Sequence, residues 1–194
     1  MDKIFIFGGS FDPIHLGHLI LAQICGQRLK ARVVFLPTGN PPHKIITTPV
    51  KHRLEMLKLA IKDNENFEIC TYEVEKQGVS YTFETLAYLK EFYNKDIYFF
   101  VGGDSLLDIH KWKEPEKILD LCTLVYAKRK GFEIDVYNHL KAHGLNPNRV
   151  KEIDTPIIEI SSTDIRLEVK RGNSIKYLVP DAVEKYIYLH SLYK

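Results

Sequence analysis

Cysteine is scarce in this chain. Three among 194 residues, Cys25, Cys70 and Cys122, stand too far apart for a disulfide framework or a thiolate metal centre. They read as reduced, mostly buried thiols. No apolar run approaches the roughly 20 residues of a membrane-spanning helix, so no membrane partner is expected. An excess of one charge is missing too. The net charge is +2, too small to argue for a nucleic-acid partner. The only basic cluster, Lys128-Arg129-Lys130, reads as a solvated turn. There is no internal repeat and no low-complexity segment. The N-terminal residues run straight into a strand without the pattern of a signal peptide, which places the chain in the cytoplasm. What remains is ordinary: 45% hydrophobic and 27% charged residues suit a soluble globular protein. The length suffices for a single domain, 1–194, with a substantial core.

The chemistry-bearing stretch comes first. Ile4-Phe5-Ile6-Phe7 has the length and the β-branched and aromatic content of a buried parallel strand. Gly8-Gly9-Ser10-Phe11-Asp12-Pro13 follows as a turn. Apolar residues at Ile20, Leu21, Ile24 and Cys25 then repeat at helical spacing. In this strand–glycine turn–helix unit, Gly8 and Gly9 let backbone approach a ligand, and a helix start favours phosphate. His15 and His18 lie three apart, so both imidazoles fall on one side of the helix start, with Gly17 adding no bulk between them. A surface pair, a chance cap and a zinc pair are the other readings. No third and fourth zinc ligand is obvious nearby, and the paired glycines favour phosphate.

The chain continues in alternation. Arg32–Pro37 reads as a second strand, completing a right-handed βαβ unit. An irregular loop over 38–51 carries Pro41-Pro42-His43-Lys44, where stiff prolines present His43 and Lys44 or simply link two elements. Residues 52–61 form a helix whose Arg53 is a surface cation or a phosphate contact. Residues 67–72 alternate like a strand. A further helix starts near Thr82, with Ser80 or Thr82 as its cap. The apolar run 97–101 is another central strand, ending in Gly102-Gly103-Asp104. Asp104 there is either an acceptor for ribose hydroxyls or a helix cap. Trp112, the only tryptophan, is a core residue or, sitting among charges, a ring for stacking on a flat ligand, and its neighbours favour stacking. Residues 123–127 make a strand and 135–143 a helix, and 152–154 with 157–160 supply the last strand material. Ser161 and Asp164 have capping-box spacing, and Arg166 follows within a turn, so the segment is a plain helix start or a second phosphate cradle. The helix there looks poorly amphipathic, since Ile165, Leu167 and Val169 alternate. A last helix starts near Asp181.

His15-Leu16-Gly17-His18 after a first strand resembles the (H/T)-x-G-H mark of the nucleotidyltransferase superfamily. Gly-Gly-Ser-Phe-Asp-Pro-Ile-His narrows the resemblance to the bacterial nicotinate-nucleotide adenylyltransferases. Pro-Pro-His-Lys, Ser-Tyr-Thr at 80–82, Gly-Gly-Asp, Lys-Trp and Ile-Ser-Ser-Thr-x-Ile-Arg at 160–166 extend it over nearly the whole chain. Ser10 and Gly103 are mild departures, where the family more often has threonine and alanine.

The resemblance implies an α/β fold, a Rossmann-like parallel sheet with helices on both faces. It implies transfer of AMP from ATP, with Mg²⁺, to nicotinate mononucleotide, giving deamido-NAD and pyrophosphate. His15, His18 and Arg166 then carry catalysis. ATP contacts fall on Gly8, Gly9, Ser10, Phe11, His15, His18, Gly102, Asp104, Ile160, Ser161, Ser162 and Arg166. Acceptor contacts fall on Ser10, His43, Lys44, Thr82, Asp104 and Trp112. No protein-bound structural metal is expected, and the sequence allows a homo-oligomer without indicating one. Other readings are transfer to nicotinamide mononucleotide or phosphopantetheine, a non-catalytic nucleotide sensor, and a zinc-binding module.

Overall fold

The structure, a computed structural model, describes residues 2–41, 46–127 and 135–194. His43, Lys44 and the basic run Lys128-Arg129-Lys130 lie outside the described residues. The chain folds as β1 (Lys3–Gly9), α1 (Leu16–Leu29), β2 (Arg32–Pro37), α2 (Val50–Ile61), β3 (Phe67–Ile69), α3 (Tyr72–Glu75) and α4 (Thr82–Tyr93). It continues with β4 (Asp96–Phe100), α5 (Gly103–Leu107), a 3-10 turn (Ile109–Lys111), α6 (Pro115–Leu121) and β5 (Thr123–Ala127). Then come α7 (Val136–Ala142), a 3-10 turn (Pro147–Arg149), β6 (Val150–Ile153), α8 (Ser162–Lys170) and α9 (Asp181–Leu189). No described helix is long and apolar enough to cross a membrane.

The six strands form one sheet in the order β3-β2-β1-β4-β5-β6, and each adjacent pair is parallel. Parallel sheets need covering on both faces, so their strands read as continuous apolar runs whose alternate residues serve opposite layers. That is the case here. Phe5 and Phe7 of β1, with Val33 and Phe35 of β2, pack against α1, α2, α8 and α9 through Ala22, Met56, Ile165 and Val183. Ile4 and Ile6, with Val34 and Leu36, pack on the other face against Leu86, Leu106, Ile118 and Leu140 of α4, α5, α6 and α7. The expected α/β architecture, helices on both faces, is what forms.

The order places β1 at the switch point. The chain runs outward from β1 to β2 and β3, then returns to lay β4 on the opposite side of β1. A crevice opens outside the carboxyl ends of two such strands, and ligands of open α/β sheets bind there.

Several local expectations are corrected. Gly8 and Gly9 close β1 rather than form the turn; the chain reverses at Phe11, which holds the left-handed φ of 47°. The strand expected over 67–72 stops at Ile69, and Tyr72 opens α3, which carries Glu73 inward to a hydrogen bond from Thr85. Neither Ser80 nor Thr82 caps α4; the N-cap is Tyr81 and Thr82 is the first helical residue. Asp104 is not a cap either: it lies in the first turn of α5, capped by Gly102. Residues 157–160 are not strand, because Pro156 offers no N–H to a ladder and the chain instead leaves the β6 edge. The helix after Ser161 is amphipathic after all. Ile165 and Val169 are buried one turn apart, while Leu167 faces solvent.

Candidate active site

The first motif is a helix cap built from two imidazoles. His15 has extended backbone angles and is the N-cap of α1. Its Nδ1 accepts the backbone N–H of His18 at 3.3 Å, and the Nδ1 of His18 accepts the backbone N–H of His15 at 3.3 Å. This is the reciprocal arrangement of a capping box with histidines in place of Ser and Glu. The rings stack at 3.6 Å and 19°. An Nδ1 that accepts a hydrogen bond carries no proton, so in each neutral ring the proton sits on Nε2. The cap therefore sets the tautomer of each ring. Burial holds His15 neutral, lowering its pKa from 6.5 to about 4.

Packing fixes the pair from behind. The ring of Phe11 stands edge-on to His18 at 5.3 Å, and that of Phe7 at 6.0 Å. A Cβ on Gly17 would come within 3.0 Å of the His15 Nδ1 and 3.3 Å of the Ile158 side chain. Glycine there lets the 155–161 segment close over the first turn of α1.

The second motif meets the first through backbone carbonyls. Ser161 caps α8 by accepting the Asp164 N–H at 3.1 Å, as its spacing predicts. The carboxylate of Asp164 accepts from the Ser161 hydroxyl at 2.6 Å. Ser162 Oγ donates to the Pro13 carbonyl at 2.9 Å, and Arg166 donates to the Asp12 carbonyl at 2.7 Å. A further bond from Arg166 reaches Thr163 Oγ1 at 3.3 Å. With five N–H donors, the guanidinium keeps others for a ligand. The Leu16 N–H donates to the Leu178 carbonyl at 2.9 Å. The start of α8 and the loop before α9 are thus sewn to the β1–α1 turn. The buried Asp12 carboxylate accepts from Tyr193 Oη at 2.6 Å, and burial next to that anion holds the phenol far above its ordinary pKa.

Arg53 is corrected from a surface cation or phosphate contact to a strut. It is 1% exposed and donates to the carbonyls of Ser10 at 2.9 Å, Thr38 at 3.1 Å and Thr48 at 3.4 Å. It ties the β1–α1 turn to the carboxyl end of β2.

A cavity of ≈ 370 Å³ lies beside the histidine cap. Gly17, Ile20 and Ile24 of α1 form one wall, Phe100 and Ala127 its floor, and residues 155–161 the other wall. Ile160 and Ser161, expected near ATP, border it. The wall of 155–161 was missed by sequence reading, which took its isoleucines for strand; Pro156 and the exposed Ile157 are the signal against that.

The residues expected at the acceptor lie on the segments after β4 and at the start of α4. Gly102 and Asp104 follow β4, beside β1. Thr82 opens α4, and the adjacent Ser80 is buried, with its N–H on the Asn40 carbonyl at 3.1 Å. Trp112 follows the 3-10 turn and packs half-buried on the second core. Lys113 Nζ sits 4.1 Å from the Tyr81 ring centroid, which draws the Trp112 segment to the start of α4. What these residues share with the histidine cap is the carboxyl edge of the sheet. Gly39 is held there by close approach, since a Cβ on it would lie 1.9 Å from the Glu73 carbonyl oxygen.

Two imidazoles, a hydroxyl-capped helix start and an arginine are gathered around one turn, with an apolar cavity alongside. Known proteins resemble the chain as a whole. A family model described as cytidylyltransferase-like matches residues 6–168. A protein of Thermomicrobium roseum named "Probable nicotinate-nucleotide adenylyltransferase" is 42% identical over 198 residues, covering 100% of this chain and 92% of its own. A protein of the same name from Clostridium tetani is 40% identical over 200 residues, with 100% of both chains covered. The solved nicotinic acid mononucleotide adenylyltransferase of Plasmodium falciparum, complexed with APC, superposes with a TM-score of 0.78 at 25% identity, covering 100% of this chain and 98% of that one.

Proposed function

The chain belongs to the cytidylyltransferase-like family, and from that premise we propose that it transfers AMP from ATP to nicotinate mononucleotide, releasing pyrophosphate and forming deamido-NAD. The observation that carries this reading is the His15–His18 cap. It places two imidazoles at a helix start, and it is joined through Asp12 and Pro13 to the helix that bears Ser162 and Arg166.

The acceptor phosphate is itself the nucleophile at neutral pH. It attacks the α-phosphorus of ATP, the new P–O bond forms, and the bond to the β-phosphate oxygen breaks with its electron pair leaving on pyrophosphate. No proton transfer is needed at the nucleophile, so the protein aligns and stabilises charge. His15 and His18 donate to the α-phosphate oxygens, and burial keeps the His15 ring neutral across the physiological pH range. Ser162 and Arg166 hold the β- and γ-phosphates. The slot between α1 and 155–161 takes the adenine. Thr82, Asp104 and Trp112 form the acceptor side, with Trp112 stacked on the pyridine ring.

Magnesium belongs to the substrate, as MgATP. Among the described residues no group of three carboxylates converges at this crevice, so the phosphates supply the hard oxygen ligands. Bound to the triphosphate, the ion neutralises charge and eases departure of pyrophosphate.

The test is pyrophosphate release from MgATP with nicotinate mononucleotide, nicotinamide mononucleotide and phosphopantetheine offered in parallel. Strong preference for the first is expected. Preference for another acceptor would overturn the acceptor side while keeping the ATP site, and no release with any would make the chain a nucleotide sensor. His18→Ala should fold and release pyrophosphate roughly a hundredfold more slowly, as when a preorganised donor is removed.

A further inference from the structure

Away from the histidine cap, three other imidazoles converge. His110 comes from the 3-10 turn after α5, His139 from α7, and His143 from its C-cap. One ring nitrogen of each lies within 4.8 Å of the other two. His110 stacks on His143 with centroids 3.9 Å apart, and His139 lies 4.6 Å from His143. The spacing of His139 and His143, four apart on one helix, puts both on the same face.

The hydrogen bonding of two of the three, His139 and His143, is that of metal-binding histidines. His139 Nε2 lies 2.9 Å from the Leu107 carbonyl and His143 Nδ1 lies 2.9 Å from the His139 carbonyl. A carbonyl only accepts, so each of these nitrogens carries the proton and the opposite nitrogen keeps its lone pair. Carbonyl partners of this kind orient metal-binding histidines and raise their basicity. His110 supplies an independent sign: its Nδ1 is buried and has no hydrogen-bond partner. A buried imidazole nitrogen left unpaired costs free energy that a ligand would recover.

We propose that His110, His139 and His143 form a binding site for a divalent late transition metal, Zn²⁺ or Ni²⁺, that ties the segment carrying Trp112 to α7. Three imidazoles suit these borderline ions and not Mg²⁺ or Ca²⁺, which take oxygen. Three protein ligands leave a fourth position for water. This departs from the expectation that the protein holds no metal of its own. It stands on the histidine geometry alone and is independent of the adenylyl-transfer reading.

The experiment uses the full, untagged chain, stripped with EDTA and dialysed. Zn²⁺ is titrated by calorimetry, and Ni²⁺ by quenching of Trp112, the sole tryptophan and two residues from His110. One equivalent of Zn²⁺ at micromolar concentrations or tighter is expected, with Ni²⁺ quenching at the same stoichiometry. His143 is exposed, so His143→Ala should keep the fold by circular dichroism and lose at least about tenfold in affinity. His139→Gln provides a second variant should the first misfold, while His18→Ala should bind as the wild type does. Unchanged affinity in the His143 and His139 variants, or no stoichiometric uptake by the wild type, would overturn the site. So would a thiolate charge-transfer band in the Co²⁺ form, which would move the ion to the cysteines.

Discussion

His15→Asn separates the two roles that the structure gives His15, helix cap and neutral buried imidazole. Asparagine is among the best N-cap residues and accepts from the same backbone N–H, so at pH 7 the variant should lie within about 1 kcal/mol of wild-type stability. The pH dependence should differ. The His15 pKa is lowered from 6.5 to about 4 by burial in the fold. Between those values the unfolded chain binds more protons than the folded one, so stability rises with pH through that window. The contribution is complete above 6.5 and is lost as the pH falls toward 4. A shift of this size corresponds to about 3 kcal/mol in total. Between pH 7 and pH 4.5 the wild type should lose about 2 kcal/mol that His15→Asn keeps. Urea denaturation of both proteins at several pH values between 4.5 and 7 measures the difference directly, since every other titrating group is common to both. Parallel stability curves would refute the argument: His15 would then be solvated or protonated in the fold, and the tautomer assignment for phosphate donation would fall with it.

Three further outcomes follow from the site. Arg53→Leu leaves the carbonyls of Ser10, Thr38 and Thr48 without their buried donor, so stability should fall by about 3 kcal/mol, read as a lower melting temperature; weaker ATP binding with an unchanged melting temperature would restore the phosphate role. Gly39→Ala sets a methyl against rigid backbone at Glu73 and should cost about 3 kcal/mol, whereas a variant that melts with the wild type would show that the 38–41 segment yields freely. Trp112→Ala should raise KM for the nicotinate nucleotide far more than for ATP in steady-state kinetics, and equal increases would mark the ring as part of the core only.

Buried parallel strands were the most legible part of the sequence. Arg32–Pro37 and Thr123–Ala127 end where the apolar runs end, because a strand covered on both faces has no polar alternation to obscure its limits. Edge material was less legible. The segments 67–72 and 157–160 have strand composition, yet one turns inward at Glu73 and the other leaves the sheet after Pro156. A short apolar run fits a strand or a cavity wall equally well until something fixes its neighbours. Arg53 failed for a related reason. Its burial depends on three carbonyls from two other segments, and none of these is visible in the helix that carries it.

The same distinction divides the candidate site. Each motif could be read locally, since His-x-Gly-His and Ser-Ser-Thr-x-Ile-Arg sit at helix starts where their spacing has direct geometric meaning. The coupling between them could not. It runs through main-chain carbonyls at Asp12 and Pro13, which any sequence possesses, and it joins residues 149 and 154 positions apart. Side-chain identity therefore marks the groups that would touch phosphate, while the fold decides whether they touch it together. The same reasoning covers His110, His139 and His143. Taken singly they are ordinary histidines on polar segments, and only the packing of α7 beside the turn after α5 makes them a set. A double-mutant cycle between Ser162→Ala and His18→Ala puts this on a measurable footing. If the carbonyl link sets the spacing of the two cradles, their effects on pyrophosphate release should be non-additive by about 1 kcal/mol or more. Additive losses would mean that the two helix starts hold their phosphates independently.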